Sequence, residues 1–445
     1  MKVLEGRKAV SDFVAAVRAA AGKKIRRVAF EDCRDWHFTP DGAFAHRSGR
    51  YFSVAGISAP PTMHSRMPAD CVMIDQPEVG WLAFLVRPSD AGLQWLLQAK
   101  TEPGNLAETS IAPTVQATRS NFERVHGGEA TRFLDRLTEA PAFLSDAPHS
   151  EQGTKFLWKF NRNSVAAVEA GMEPEAADGR LWRWATSAAL RESLSVNHLV
   201  NTDARSVIAT APWALLADGG PLFSADVLRA SYELEKPWEA EQLKPLVSPL
   251  GPLRAPNWRR VPLTGLEGWQ MRDGALRDPA GQEAVACYDV ELAGREVGHW
   301  QQPFLVGTQP AEQVLFMRID AGKAEFYLRV YHEVGFGRRR EFGASTSSEF
   351  DTPPFLRNWR RQGEPRKIMA LRQSDEGGRF MRADAVYRIV LLQNPPPKQR
   401  MPVGAWVDLS TLEKLCRTAG RTTNELRTLA SMILSRAFDA ACADL

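Results

Sequence analysis

The two halves of this chain resemble each other faintly but in order, and that self-similarity limits the available folds more than any other feature. Gln76-Pro77 returns 226 positions on as Gln302-Pro303, and Trp95–Gly104 (WLLQAKTEPG) returns 231 positions on as Phe326–Gly335 (FYLRVYHEVG). Ser150-Glu151-Gln152-Gly153 is matched 224 positions on by Ser374-Asp375-Glu376-Gly377, and Trp184 and Arg205 are matched 222 positions on by Trp406 and Arg427. Offsets that drift slowly and keep their order are those of a duplicated unit. The expected architecture is α+β: two tandem duplicated copies, residues 1–235 and 263–445, with mixed β-sheets and flanking helices. Between them, prolines at 237, 245, 249, 252, 256 and 262 exclude a regular helix or a central strand, so residues 236–262 read as a linker.

Two helical signals flank the body. Ser11 is placed to cap a helix through Ala21 with Val14 and Val17 at helical spacing. Thr422 with Glu425 makes a capping box ahead of Leu426, Leu429, Ile433, Leu434 and Phe438. A length of 445 residues with 44% hydrophobic and 24% charged side chains is that of a globular chain with a sizeable core. A net charge of +3 on 56 basic and 53 acidic residues gives no case for nucleic acid as partner. The cysteines (Cys33, Cys71, Cys287, Cys416, Cys442) are odd in number and scattered, without a C-x-x-C pair, and are expected to be reduced. No run approaches the roughly 18 apolar residues of a membrane span, and no signal segment is visible at the start. No membrane partner and a cytoplasmic location are therefore expected.

The chemistry concentrates between Gln98 and Gly128 (QAKTEPGNLAETSIAPTVQATRSNFERVHGG). Read with period two, Gln98, Lys100 and Glu102 share one strand face, and Thr114 and Gln116 share another, each over an apolar back: the lining of a pocket. Lys100 and Glu102 are either a proton-handling pair or an exposed ion pair on an edge strand. His126, with an ordinary pKa near neutrality and two glycines behind it, is a candidate acid or base, or a turn cap. Arg119, Ser120, Asn121 and Arg124 present guanidinium forks and polar groups suited to phosphate oxygens.

Further along, Glu151 is a third carboxylate candidate, His149 a weaker one, and Lys159, Arg162 and Asn163 add charge and an amide. Arg205 beside Asp203 either contacts substrate or forms a structural pair with it. Trp158, Trp182 and Trp184 are available for stacking on a base, though such spacing equally fits a core. No metal-ligand constellation, dinucleotide fingerprint or P-loop is present, so no metal or cofactor is expected.

These residues sit in a context that resembles the NDP-hexose 2,3-dehydratase family of deoxysugar biosynthesis. The resemblance is carried by the 98–128 stretch, SEQGTKFLWKFNRN (150–163), VNTDARSVI (200–208), HRSGRYFSV (46–54) and the Gln76-Pro77 pair, in order through the first half and more weakly beyond. It implies a tandem pair of Nudix-like domains, a homodimer, and a nucleotide-linked, dTDP-bearing 4-keto-6-deoxyhexose as substrate. A base removes the C3 hydrogen beside the C4 ketone, an acid protonates the departing C2 hydroxyl, and no redox cofactor is needed because the electrons stay in the sugar. The resemblance also implies a second PTVQ motif. Here Pro113–Gln116 is answered by Ala344–Ser347 (ASTS), and Lys100 by Tyr331, so the chemistry is expected in the first copy. The alternatives are a non-catalytic nucleotide-sugar binding or assembly subunit and a Nudix-type pyrophosphohydrolase. The latter lacks the closely spaced glutamates that would hold magnesium.

Overall fold

A computed structural model gives the fold and describes residues 2–59, 70–118, 130–175, 178–234, 243, 246–247, 258–293, 297–307, 309–337, 339–394 and 403–445. The protein mixes α-helices with several mixed sheets, and two seven-stranded sheets form its centre. The first runs Ala142–Ser150, Phe160–Ala167, Gly80–Ser89, Gly92–Thr101 and Trp182–Thr186, with Thr109–Ala112 and Val115–Ala117 attached to the two middle strands. The second runs Pro365–Ser374, Asp384–Leu392, Ala311–Asp320, Lys323–Tyr331 and Gly404–Val407, with Glu341–Gly343 and Thr346–Ser347 attached in the same way. In each sheet one parallel pair sits at the centre, Gly80–Ser89 with Phe160–Ala167 and Ala311–Asp320 with Asp384–Leu392.

Local sequence explains these elements. Leu82–Val86 is an unbroken apolar run buried on both faces, as a central strand with a parallel neighbour requires. The hairpin onto Lys323–Tyr331 closes through Ala321 and Gly322 at φ 48° and 73°, the mirror-image turn that matches strand twist. The helix Gly6–Ala20 begins a turn earlier than its expected cap at Ser11, because Val10 extends the buried stripe of Val14 and Val17. The helix Asn424–Ile433 is capped by Thr423 rather than Thr422. Glu425 accepts from Gln152 Nε2 at 3.2 Å, which takes it out of the expected capping box.

The halves are interleaved. Lys24–Val28 pairs with Glu283–Glu291, and Arg259–Val261, inside the stretch expected to be a linker, pairs as an edge strand with Ser53–Ser58. One apolar core runs through both large sheets, from Phe84, Trp95 and Leu97 to Phe326, Leu328 and Ile389. The helices Thr202–Thr210 and Asn424–Ile433 pack together through reciprocal bonds. Arg205 Nη1 donates to Ser431 Oγ at 3.0 Å, and Arg427 Nε donates to Ser206 Oγ at 2.7 Å.

Each half also docks a turn on a glycine of the other. Gly335 N donates to Gly153 O at 2.7 Å, and Gly104 N donates to Gly377 O at 2.8 Å. A Cβ on Gly104 would lie 1.7 Å from Phe380 O, so no larger residue fits without moving the turn. Gly104→Ala is expected to destabilise the fold by about 1–3 kcal/mol in denaturant unfolding, the usual cost of forcing extra volume into a packed contact.

Candidate functional site

A cavity of about 240 Å³ opens beside the first large sheet, lined by residues of both halves. Lys100 comes from the strand Gly92–Thr101, Gln116 from Val115–Ala117, Glu151, Lys159 and Asn161 from the 150–163 stretch, and Asp203 from the first turn of its helix. Gln301 and Gln302 enter from the strand His299–Val306, and Glu376, Gly378 and Arg379 from the turn after Ser374.

The ionic floor is held by a chain of amides. Glu151 accepts from Asn161 Nδ2 at 2.7 Å and from Asn424 Nδ2 at 3.0 Å, which fixes both carboxylate oxygens. Asn161 Oδ1 accepts from Gly80 N at 3.1 Å, which fixes that amide in turn. Burial pushes Glu151 up to about 7 against the pull of Arg427 and Lys159. Asp203 is raised well above the usual carboxylate range by burial and then by Glu151, Glu376 and Glu102. Lys100 Nζ lies 3.6 Å from Glu102 Oε1. Glu102 in turn accepts from Gln116 Nε2 and Gly377 N, both at 3.1 Å, and Gln116 Oε1 accepts from Asn201 Nδ2 at 3.0 Å. Glu102 thus stands behind Lys100 as its counter-charge, outside the cavity lining.

The other wall is aromatic. Trp36, His46, Tyr51 and Phe52 line it, with Trp36 and Phe52 ring centroids 4.9 Å apart and Trp36 Nε1 donating to Gln301 O at 2.8 Å. Arg379 joins the two walls. Its guanidinium lies 4.4 Å from the Phe52 ring centroid, Nε donates to Gln76 Oε1 at 3.3 Å and Nη1 to Gly378 O at 3.0 Å. Lys159 is lowered to about 8 by burial and by Arg379 nearby.

Of the site residues expected from sequence, Lys100, Gln116, Glu151 and Lys159 meet in this cavity, with Glu102 against Lys100. His126, Arg119, Ser120, Asn121 and Arg124 lie outside the described residues. The remainder sit elsewhere. Gln98 and Thr114 flank a separate hollow against the first helix, and Thr114 Oγ1 is occupied by Leu85 N and Leu96 O. Arg162 points outward, forked on Asp146 and stacked 4.0 Å over Trp81, because its position alternates away from Asn161. Asn163 is spent on Ser206 Oγ and Thr210 Oγ1. Arg205 is fully buried between the two packed helices. It forms no pair with Asp203, since residues two apart on a helix face different ways. His149 is buried, lowered to about 3 by burial and the cations Arg427 and Arg339, and lines no part of the cavity. Trp182 and Trp184 belong to a core cluster, and Trp158 is outside the cavity lining.

Sequence reasoning missed Asp203 as a cavity group, the aromatic wall, and the whole contribution of the second half. The signals were present: His46 and Tyr51 lie in HRSGRYFSV, and Glu376 lies in the repeated Ser374–Gly377 turn.

At the matching place in the second half stands a self-satisfied ionic cluster. Gln152 Nε2 donates to Asp375 Oδ1 at 3.1 Å and to Glu425 Oε1 at 3.2 Å, and Lys155 Nζ meets Asp375 Oδ2 at 2.6 Å. Glu333 accepts from Gly153 N at 2.6 Å, and Glu349 from Gln313 Nε2 at 3.0 Å. Tyr331 OH, in place of an ammonium, donates to Ala344 O at 2.8 Å.

The sequence profile of the NDP-hexose 2,3-dehydratase family matches residues 7–211 and 254–433. The chain is 30% identical over 439 residues to a dTDP-4-dehydro-6-deoxy-alpha-D-glucopyranose 2,3-dehydratase of Streptomyces violaceoruber, covering 94% of this chain and 95% of that protein. It is 28% identical to an enzyme of the same name from Saccharopolyspora spinosa (93% of this chain, 88% of the other) and 26% identical to one from Amycolatopsis orientalis (95% and 89%). A crystal structure of an ADP compounds hydrolase aligns with 34% of this chain and 85% of its own, at 17% identity and a TM-score of 0.23, too low to place the fold. With both halves of the chain matched and similarity running nearly end to end, the chain belongs to the NDP-hexose 2,3-dehydratase family.

Proposed function

We propose that this chain is a carbon–oxygen lyase that removes the C2 hydroxyl from a dTDP-linked 4-keto-6-deoxyhexose to give a 3,4-diketo-2,6-dideoxy sugar nucleotide. The supporting observation is the meeting, in one cavity, of Glu151, which burial raises to about 7, with Asp203, whose carboxyl burial and neighbouring carboxylates raise well above the usual range, and Lys100. Groups whose environments hold them in different protonation states are what a proton-in, proton-out elimination needs.

In this reading Glu151 takes the C3 proton, and Lys100, held by Glu102, faces the oxyanion forming on O4. The enediolate electrons form the C2–C3 double bond as the C2–O bond breaks. Asp203 supplies the proton with which the hydroxyl leaves as water. The enol then tautomerises, with no net oxidation. His126, Arg119, Ser120, Asn121 and Arg124 remain proposed contacts from a segment bordering Thr118, itself a cavity residue.

The reading includes two tandem Nudix-like units, at 1–235 and 263–445 with a linker at 236–262, supported by the shared strand order of the two large sheets. It includes a cytoplasmic homodimer, in keeping with the free cysteines. No helix among the described residues is long and apolar enough to cross a membrane. The test is incubation with dTDP-4-keto-6-deoxyglucose, followed by mass spectrometry. Loss of one water is expected. Release of a nucleoside monophosphate with magnesium, or binding without turnover, would overturn the proposal.

A further inference from the structure

Thr202 and Asn424 are the first residues of their helices and stand 222 positions apart, the offset that also relates Arg205 to Arg427. If the two positions kept matching tasks, Asn424 would hold Glu151 and Thr202 would hold Asp375, the counterpart of Glu151. The structure breaks that symmetry. Asn424 Nδ2 donates to Glu151 Oε2 at 3.0 Å, but Thr202 Oγ1 gives its one proton to Asn424 Oδ1, also at 3.0 Å. Asp375 is held instead by Gln152 and Lys155. Both helix positions are thus committed to the same carboxyl.

The arrangement favours one charge state of Glu151. An ionised carboxylate only accepts, so the amide must present its NH₂ to Glu151, and the Thr202 hydroxyl holds the carbonyl end turned away. Asn424 is 1% exposed, and a hydrogen bond to a charged group is stronger there than in water. The same helix also supplies Arg427, whose guanidinium is bound by the neutral oxygens of Ser206, Thr422 and Ser150. Burial drives the Glu151 carboxyl up to about 7; Arg427 and Lys159 pull it down, Glu376 pushes it up, and Asp203 adjoins it.

We propose that Asn424 is a positioning residue for the reaction, reaching from the second half to keep Glu151 ionised and aimed into the cavity, with Thr202 locking its amide. The second half thereby completes the proton-transfer site of the first. This rests on the function proposed above, in which Glu151 takes the C3 proton.

The test is the pH dependence of C3 hydrogen exchange in D₂O, with dTDP-4-keto-6-deoxyglucose and the full-length protein. In Asn424→Ala the ionised form of Glu151 loses a donor and its pKa rises, so the ascending limb moves up by roughly one to two pH units, the worth of one hydrogen bond to a charged group. Exchange at about pH 7 then falls roughly five- to fifty-fold and returns toward the wild-type rate above about pH 9. Thr202→Val, which removes only the hydroxyl bound to Asn424, moves the limb the same way by less. Arg427, Lys159, Glu376 and Asp203 are unaltered in both variants, and a purely structural defect would lower the rate equally at every pH. Circular dichroism checks folding. A wild-type profile without the limb would overturn Glu151 as the base, and this inference with it. With the wild-type limb in place, an unmoved limb in folded Asn424→Ala, or in Thr202→Val should the first variant not fold, would overturn this inference alone.

Discussion

Glu151→Gln is expected to lower the rate of water loss by about 10²–10⁴-fold, the usual contribution of a positioned proton-transfer group. The substitution keeps the shape and one acceptor oxygen, so Asn161 and Asn424 lose at most one of their two bonds to this side chain. Binding of dTDP is expected to persist, because the variant removes a proton acceptor and leaves the cations Lys159 and Arg379 of the cavity in place. The wild-type pH profile carries the same signature. A base must be ionised, burial raises Glu151 to about 7, and turnover should therefore climb as pH rises through that value. The variant should lose this limb. Hydrogen at C3 gives an independent reading: wild-type enzyme in D₂O should exchange it and Glu151→Gln should not. Full exchange in the variant would place the base elsewhere.

Lys100→Ala is expected to cost about 10²–10³ in kcat, the range seen when one donor to a developing oxyanion is removed. The ammonium is only 12% exposed and sits against Glu102, so truncation also leaves a buried carboxylate with one partner fewer. A double variant, Lys100→Ala with Glu102→Gln, separates these effects. It should recover stability in denaturant unfolding without recovering turnover. If turnover returned with stability, Lys100 would be a structural ion pair, as its exposed edge-strand alternative would have it.

How legible the site was depended on the range of the interactions involved. Period-two alternation along Gln98–Glu102 and Thr114–Gln116 is a local property of strands, and it placed Lys100 beside Glu102 correctly. The same rule assigned Gln98 and Thr114 to a pocket, but which of two hollows a polar face lines depends on the helix packed above it, here Gly6–Ala20. Arg162 and Asn163 shared a basic, polar stretch with Lys159 and Asn161. Only the pairing of Phe160–Ala167 between two neighbours decided which of them face the cavity. For Asp203 and Arg205, adjacency in sequence suggested a pair, whereas helical geometry sent the carboxyl to the cavity and the guanidinium to the other helix. The repeated Ser374–Gly377 turn was visible as a repeat. Its insertion into the opposite half was not, because no local pattern encodes a docking partner more than 200 residues away.

The amino-acid sequence by itself determined the α+β class and the family, because these follow from local periodicity and from long ordered motifs. Only the tertiary structure decided that the cavity is built by both halves, that Asp203 and Arg379 belong to it and Arg205 does not, and that Lys155 of the first half pairs with Asp375 at the matching place in the second. Those outcomes depend on desolvation and on contacts between residues distant in the chain, and neither exists until the sheets are packed.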